Sequence, residues 1–349
     1  MTKQPRLALD AMGGDDAPRI VIEGADIAVA KNTDLKLVFV GDAQQIKPLL
    51  AATRYLQSAE IVHTTEKVAP EARVSQALRA GKQTSMWKAI ELVANGKVEA
   101  VVSAGNTGAL MAMSKLQLRM IEGVSRPAIA GFFPNSVGQS CVLDLGANIE
   151  CDAENLIQFA VMGSAFYRDI YGVDTPSVGL LNVGEEDQKG FDYLREAGKV
   201  LNLERLEVNY QGFVEGSDIT NGSVDVIVTD GFTGNAALKT AEGVANLFQQ
   251  SLRQAFSANM MTKIGYMLAR GGVANLRAKL DPRNYNGAVF LGLNGISVKS
   301  HGGTDAIGYA NAINVAVNMV KQGFIPEVTA TIAKANQILA EEKTLSDDE

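Results

Sequence analysis

"VVSAGNTGAL" (101–110) carries a β-branched apolar run through a glycine turn into helix-forming residues. "VIVTDGFTGNAAL" (226–238) does the same, and both fit the pattern V-[ST]-x-G-x-T-G. A short apolar run bounded by glycine reads as a buried strand, and the amphipathic stretch behind it reads as a helix. The same alternation extends outward from these two corners along the chain. Strands are expected at 6–10, 36–40, 59–63, 98–102, 128–133, 140–144, 177–183, 206–210, 224–229, 287–291 and 295–299. Helical patterns fall at 18–31, 84–95, 107–121, 152–171, 187–201, 235–258 and 304–322. Such alternation predicts a three-layer α/β/α fold, with a mostly parallel sheet covered by helices on both faces. No low-complexity linker interrupts the 349 residues. Residues 1–335 are therefore expected to form a single large α/β domain, and 336–349, ending in "EEKTLSDDE", an acidic tail without fixed structure.

Bulk properties exclude several classes. The net charge of −7 lacks the basic footprint of a nucleic-acid binder. No 18-residue apolar span suits a membrane crossing, and "MTKQPRLALDAMGG" enters a strand with no signal-peptide pattern. Two cysteines make no disulfide framework, so a cytoplasmic protein is expected. Cys141 sits in an apolar run and Cys151 has no nearby histidine, so neither reads as a nucleophile. The two histidines make no zinc pattern, and neither a Walker A loop nor a G-x-G-x-x-G fingerprint is present. Neither cofactor nor metal is expected.

In open α/β sheets, ligands bind outside the carboxyl ends of strands. The segments there are uniform: "DAMGGDD" (10–16), "SAGNTG" (103–108), "DLGAN" (144–148), "GEED" (184–187), "TDGFTGN" (229–235) and "KSHGG" (299–303). A helix N-terminus has unpaired N–H groups and attracts anions, while glycine admits a ligand close to the backbone. One such corner reads as a capped turn. Their recurrence along one expected rim reads as a cradle for phosphate or an oxyanion, with Thr107 and Thr233 capping a helix or donating a hydroxyl. Asp10, Asp15, Asp144 and Asp230 suit capping better than a divalent metal. His301, in a polar loop, is a candidate proton donor or anion contact, and Lys299 a candidate partner for phosphate. His63 reads as a packing residue. "LRAGKQTSM" (78–86) gathers Arg79, Lys82, Thr84 and Ser85 as a second anion site or a solvated face.

Residues 246–283 stand apart. Arg253, Lys263, Arg270, Arg277, Lys279 and Arg283 face only Asp281, a local balance of +5, among helically spaced Phe256, Met267 and other apolar residues. Gly271-Gly272 is expected to fold this stretch into an inserted basic amphipathic hairpin for a membrane, an acidic partner or a second copy.

Taken in order, "LALDAMGGDDAP", "VSAGNTGAL", "RPAI", "DLGAN", "NVGEE", "DGFTGN", "NYNGAVFLGLNG" and "KSHG" cover nearly the whole chain. The set resembles the bacterial phosphate acyltransferases of phospholipid synthesis, acyl-[acyl carrier protein]:phosphate acyltransferases. Val74, Thr84, Asn286 and the "GGTD" after "KSH" depart from that pattern. The resemblance implies a fold similar to isocitrate/isopropylmalate dehydrogenases and phosphotransacetylases. It implies transfer of a fatty acyl group from acyl carrier protein to inorganic phosphate, giving an acyl phosphate for a membrane glycerol-3-phosphate acyltransferase. It further implies a homodimer associated peripherally with the inner face of the membrane. On that reading Asn106, Lys299, His301, Asp230 and Asn235 act in catalysis. Gly13, Gly14, Gly105, Thr107, Gly108, Asn148, Gly231, Thr233, Gly234 and Ser300 bind phosphate or oxyanion, and Asp10 and Asp144 orient loops. Arg253, Phe256, Lys263, Met267, Arg270 and Arg277 contact membrane or carrier protein. The alternatives are a phosphotransacetylase acting on acyl-coenzyme A, a metal- and nicotinamide-dependent decarboxylating dehydrogenase, and a non-catalytic membrane-associated scaffold of lipid synthesis.

Overall fold

The computed structural model describes residues 4–347. Strands β1 (Arg6–Asp10), β2 (Lys36–Gly41), β3 (Glu60–His63) and β4 (Ala100–Ser103) build the first half of the sheet. β5 (Ala128–Pro134), β6 (Gln139–Leu143), β7 (Ser177–Leu181), β8 (Asn209–Val214) and β9 (Val226–Val228) follow, and β10 (Ala288–Leu291) and β11 (Ile296–Lys299) return to the centre. All eleven join one sheet in the order β3-β2-β1-β4-β11-β10-β5-β6-β9-β7-β8. Strands such as "AVVS" in β4 are buried throughout, as expected where both faces are covered.

Two hydrophobic cores flank the sheet. Helices α1 (Arg19–Lys31), α2 (Ala43–Ala51), α6 (Ala153–Tyr171), α7 (Asp192–Leu201), α11 (Ala306–Gln322) and α12 (Phe324–Asp347) bury side chains against Leu7, Leu9 and Val102 on one face. The other face, carrying Ala8, Val101 and Ile129, packs against α3 (Val74–Ala80), α4 (Ser85–Ala94), α5 (Thr107–Leu118), α8 (Asp218–Asn221) and the start of α9 (Gly231–Ser257). The alternation of side chains along each strand separates the cores, giving the expected three layers.

The sheet is mixed. β10 is antiparallel to both β11 and β5, and β5 is antiparallel to β6. The remaining pairings are parallel, so β1–β4 with β11 and β6–β9 form two parallel halves that run in opposite directions. This corrects the expectation of one common rim. The loops after β1, β4 and β11 lie at one edge of the sheet, and those after β6, β7 and β9 lie at the other. α5 and α9 nevertheless border one cleft, because both cover the same face of the central antiparallel strands.

Four local expectations also change. The strand expected at 206–210 begins at Asn209, after a 3₁₀ turn over Glu204–Leu206. The hairpin does not break at Gly271-Gly272. Those glycines lie inside α10 (Met260–Lys279), and the turn is at Ala258-Asn259, where Asn259 caps α10 by accepting from the Thr262 N–H. Nor is the hairpin a separate insertion, since α9 runs unbroken from the Gly231 corner to Ser257, about 40 Å at 1.5 Å per residue. Finally, 336–347 is helical rather than structureless: α12 continues through it, and Ile338 and Leu339 are buried in the core.

Glycine packing offers a direct test. A Cβ on Gly234 would overlap the Asp144 carbonyl oxygen, whereas one on Gly271, within exposed α10, meets nothing within 4 Å. Gly234→Ala is expected to destabilise by about 3 kcal/mol or more, and Gly271→Ala to stabilise by about 0.5–1 kcal/mol. Urea unfolding of both variants checks the pair.

Candidate functional site

Two clefts of about 450 and 460 Å³ open on the face covered by α5 and α9. Both are lined by Thr107, Gly108, Lys239, Lys299 and His301, so they meet at a common junction. The first runs over β5 and β10 between α5 and α9; the second runs toward the 67–70 loop and Gly14, Asp15 and Gly302.

The junction is positioned by a buried carboxylate. Asp10, at the end of β1, accepts 2.6 Å hydrogen bonds from the Ser85 and Ser103 hydroxyls, tying β1 to α4 and β4. Burial raises its carboxyl above the usual range, opposed by those hydroxyls and the Met12 N–H. Lys299 ends β11 beside it. Its amine donates to the Ser300 carbonyl and, at 3.4 Å, to that of Ala104. Burial pushes Lys299 down to about 8, against the pull of Asp10 and Asp15. The next two residues are held by Asn286, whose amide donates to the Ser300 hydroxyl at 2.8 Å and whose oxygen accepts from the His301 N–H at 2.9 Å. His301 Nδ1 accepts from the Gly303 N–H at 3.2 Å, so the neutral ring carries its proton on Nε2, leaving that nitrogen as a donor.

A second buried carboxylate builds the other half. Asp144 accepts from the N–H groups of Ile129, Gly146, Ala147 and Asn148 at 2.7–3.1 Å, and from the Asn148 amide at 2.9 Å. Burial raises its carboxyl, opposed by these donors. The N-terminus of α9 is laid on this loop: the Gly231 N–H donates to the Asn148 carbonyl at 2.7 Å, and Gly231 and Gly234 leave no room for a side chain over 144–148. Four residues apart, Asn235 and Lys239 fall on one helical face and reach the first cleft.

The two G-x-T-G corners therefore differ. In the first, α5 begins at Thr107 and Asn106 is the cap, accepting from the Ala109 N–H at 2.9 Å. In the second, α9 begins two positions earlier in the motif, at Gly231, and Asp230 is the cap, accepting from both the N–H and the hydroxyl of Thr233. Thr107 lies at the junction; Thr233 is turned to Asp230.

Several expected binding groups already have partners. The Asn106 amide donates to the Pro70 and Ala72 carbonyls at 2.7 and 3.2 Å, making it a tether of the 67–72 loop rather than a free donor. Asn148 is buried and its amide donates to Pro127 and Asp144, so it supplies no donor to either cleft. The Gly105 N–H donates to the Ser103 hydroxyl at 3.0 Å, and the Gly231 N–H is likewise taken. Gly13 and Gly105 are close-packing glycines: a Cβ on the first would lie 2.6 Å from Asp10, and one on the second 2.6 Å from Met86. Gly14, at φ +109°, lines the second cleft. Ser300 is buried behind the junction. Asp10 and Asp15 stand with the first cluster and Asp144 and Asp230 with the second, and among the described residues no three metal-ligating side chains gather. Burial pushes the Cys141 thiol far up and the Cys151 thiol up to about 12, so neither offers a thiolate. On the hairpin, Phe256 packs on Tyr266 with ring centroids 5.3 Å apart, whereas Met267, Arg253, Lys263, Arg270 and Arg277 are exposed.

Sequence reading missed Lys239 and Asn286 as parts of this machinery, and it placed Ser85 in a second anion site where the side chain instead donates to Asp10 and Thr84 caps α4. Lys239 was legible from its four-residue spacing to Asn235. Asn286 was not, because its role depends on β10 and β11 folding back together.

The site is a cationic junction between two clefts, and both cysteine thiols are pushed up by burial. Solved structures agree on the fold: a phosphotransacetylase from Streptococcus pyogenes superposes with TM-score 0.62 at 16% identity, covering 91% of this chain and 94% of that one. The EutD phosphotransacetylase of Staphylococcus aureus gives 0.60 at 18%, covering 91% and 95%. A family described as fatty acid synthesis protein matches residues 5–327. Relatives described as phosphate acyltransferase are 53% identical in Rhodospirillum centenum, over 97% of this chain and 96% of that one, and 50% identical in Rhodospirillum rubrum, over 94% of each. The chain belongs to this fatty acid synthesis protein family, and it is an enzyme of the acyltransferase class.

The Asn106 assignment is testable without turnover. Asn106→Ala is expected to lower stability by about 1 kcal/mol through the lost cap, and to speed amide exchange in 64–73 through the lost tether. Hydrogen-exchange mass spectrometry reads the second effect, and unchanged exchange there rejects the tether.

Proposed function

We propose that this enzyme transfers a fatty acyl group from the phosphopantetheine thioester of acyl carrier protein to inorganic phosphate. The observation carrying this reading is the junction itself, where Lys299, Lys239 and His301 converge on space shared by both clefts. The name carried by relatives about half identical to this chain supports the same chemistry.

A phosphate oxygen attacks the thioester carbon, and the C–O bond forms as the carbonyl becomes a tetrahedral oxyanion. The carbon–sulfur bond then breaks and the thiolate leaves with its electron pair. A proton reaches the sulfur from the Lys299 ammonium, and the hydrogen phosphate that attacked restores it, so the products are acyl phosphate and thiol; the neutral His301 ring only donates a hydrogen bond through Nε2. Holding two substrates at one junction removes the entropy of their encounter, and the ammonium groups of Lys299 and Lys239 stabilise the developing oxyanion. A thiol is a good leaving group, so no strong acid is required. Lys239 pairs with Glu242 at 2.8 Å, an exposed contact that an arriving anion can displace.

The chain works in this reading as a single domain in a homodimer, in the cytoplasm and at the inner face of the membrane. The hairpin is the candidate contact surface. Met260, Met261, Ile264, Met267 and Leu268 form one exposed stripe on α10, with Leu268 85% exposed, beside Lys263 and Arg270.

Purified enzyme with palmitoyl-carrier protein is expected to release thiol only when phosphate is present, with a product trapped by hydroxylamine; equal rates with coenzyme A thioesters favour a phosphotransacetylase. Lys299→Ala is expected to raise the KM for phosphate roughly 10- to 100-fold through loss of a charged hydrogen bond. The pH dependence has a definite sign. Lys299 is charged below about 8 and neutral above it, so the KM for phosphate rises as pH climbs through 8. Lys299→Arg, which stays charged, removes that rise. Vesicles containing anionic lipid are expected to bind the wild type and to lose Met261→Glu/Leu268→Glu.

A further inference from the structure

The two clefts are nearly equal in volume and differ in chemistry. The second is lined by Asp15, Lys67, Asn106 and backbone at Gly14, Gly105 and Gly302, with Met12, Val68 and Pro70 beside them. The first begins at the cationic junction, where Asn235, Glu242 and Asn286 also line it, and is otherwise mostly apolar. Its floor is Ile129 and Gly131 of β5, Ala288 of β10, and Leu145; its walls are Met111 of α5 and Leu238 of α9. The geometry points to this first cleft as the seat of the acyl tail, with Gly131 and Ala288 as the residues that set how long a tail it takes. The inference rests on the acyl transfer proposed above.

A charged head group and an apolar tail match a site with one cationic end and apolar walls. In the second cleft the same methylenes would lie against Asp15 and Lys67, which desolvation disfavours. The floor carries its own signal. Glycine weakens a strand and marks places where a ligand or another backbone approaches closely. β5 reads "AIAGFFP" and β10 reads "AVFL", so a glycine and an alanine stand side by side on one sheet face amid larger residues. A Cβ on Gly131 would lie 4.0 Å from the Ala288 Cβ and 2.8 Å from Leu145 Cδ1. Ala288 stands directly across from Lys299 in the β10–β11 register and offers only a methyl, and the Leu145 side chain packs over Gly131, so the floor passes from Lys299 across Ala288 to Leu145. Met111 adapts to chains of different shape because its thioether is flexible.

The test uses butanoyl and hexadecanoyl thioesters on the same carrier. Its readout is the ratio of kcat/KM for the long donor over the short one. Ala288→Leu raises the floor and keeps two or three methylenes in water. Each excluded methylene costs about fourfold, so the ratio is expected to fall roughly 15- to 60-fold. Met111→Phe narrows the cleft from the opposite wall and is expected to act in the same direction; it carries the test if Ala288→Leu does not fold. A folded, active variant whose ratio stays within about twofold of wild type overturns the assignment. A wild type inactive with every donor overturns instead the reaction proposed above. Calorimetric binding of hexadecanoate then reads the tail site alone: weakening in both variants supports it, and unchanged binding rejects it.

Discussion

The buried Asp144 carboxylate is the constraint on which the site depends. It stands where β6 ends, at the reversal that turns a doubly parallel architecture into two opposed halves. Its oxygens accept from Ile129 on the neighbouring strand and from three successive N–H groups of its own loop. An ionised carboxyl in a buried place is stable only when such donors surround it. With them in place, the 144–148 loop becomes a rigid bed for the first turn of α9. Gly231 and Gly234 let the helix lie directly on that bed, and this fixes the direction in which Asn235, Leu238 and Lys239 project.

Asp10 does the corresponding work for the other half, with hydroxyls in place of amides. The two carboxylates thus fix two walls of one space from opposite edges of the sheet. Between them stand Lys299, Lys239 and His301, with Asp15 and Glu242 as the acidic residues of the two clefts. Lys299 is held with its amine pushed down to about 8, so its charge is poorly solvated and strongly responsive to an arriving anion. An enzyme that binds its nucleophile can dispense with a thiolate, and both cysteine thiols here are pushed up by burial.

α9 couples this site to the surface. One helix begins under Asn148 and ends 27 residues later at the hairpin turn, carrying a cleft wall at one end and an apolar stripe of Val244, Leu247 and Phe248 beyond it. Few residues outside the hairpin pack on that distal part, so its exposed apolar face is supported mainly by α10. Helices of this kind gain stability when a partner or an interface covers the stripe.

The layered fold was legible because its signals are local. Apolar runs such as "RLALD" and "AVVS" are strands wherever they lie in a sheet, and an amphipathic stretch is a helix whatever it packs on. Asp10, Lys299 and His301 were legible too, since a polar residue that closes an apolar strand stands at the end of the sheet where ligands bind. The two G-x-T-G motifs show where local reading stopped. Identical letters began helices at different positions, because a side chain, Ser103, takes the glycine N–H in one and a distant carbonyl, Asn148, takes it in the other. Asn106 and Asn148 read as free donors until the 70–72 loop and Pro127 occupied them. Composition and periodicity located most of the strands, the long helices α1, α6 and α11, though not α12, and the chemical types at their ends. Strand direction, the reversal at β10 and β5, and the choice of which donors stay unpaired were decided only by tertiary structure, because each depends on hydrogen bonds between residues far apart in the chain.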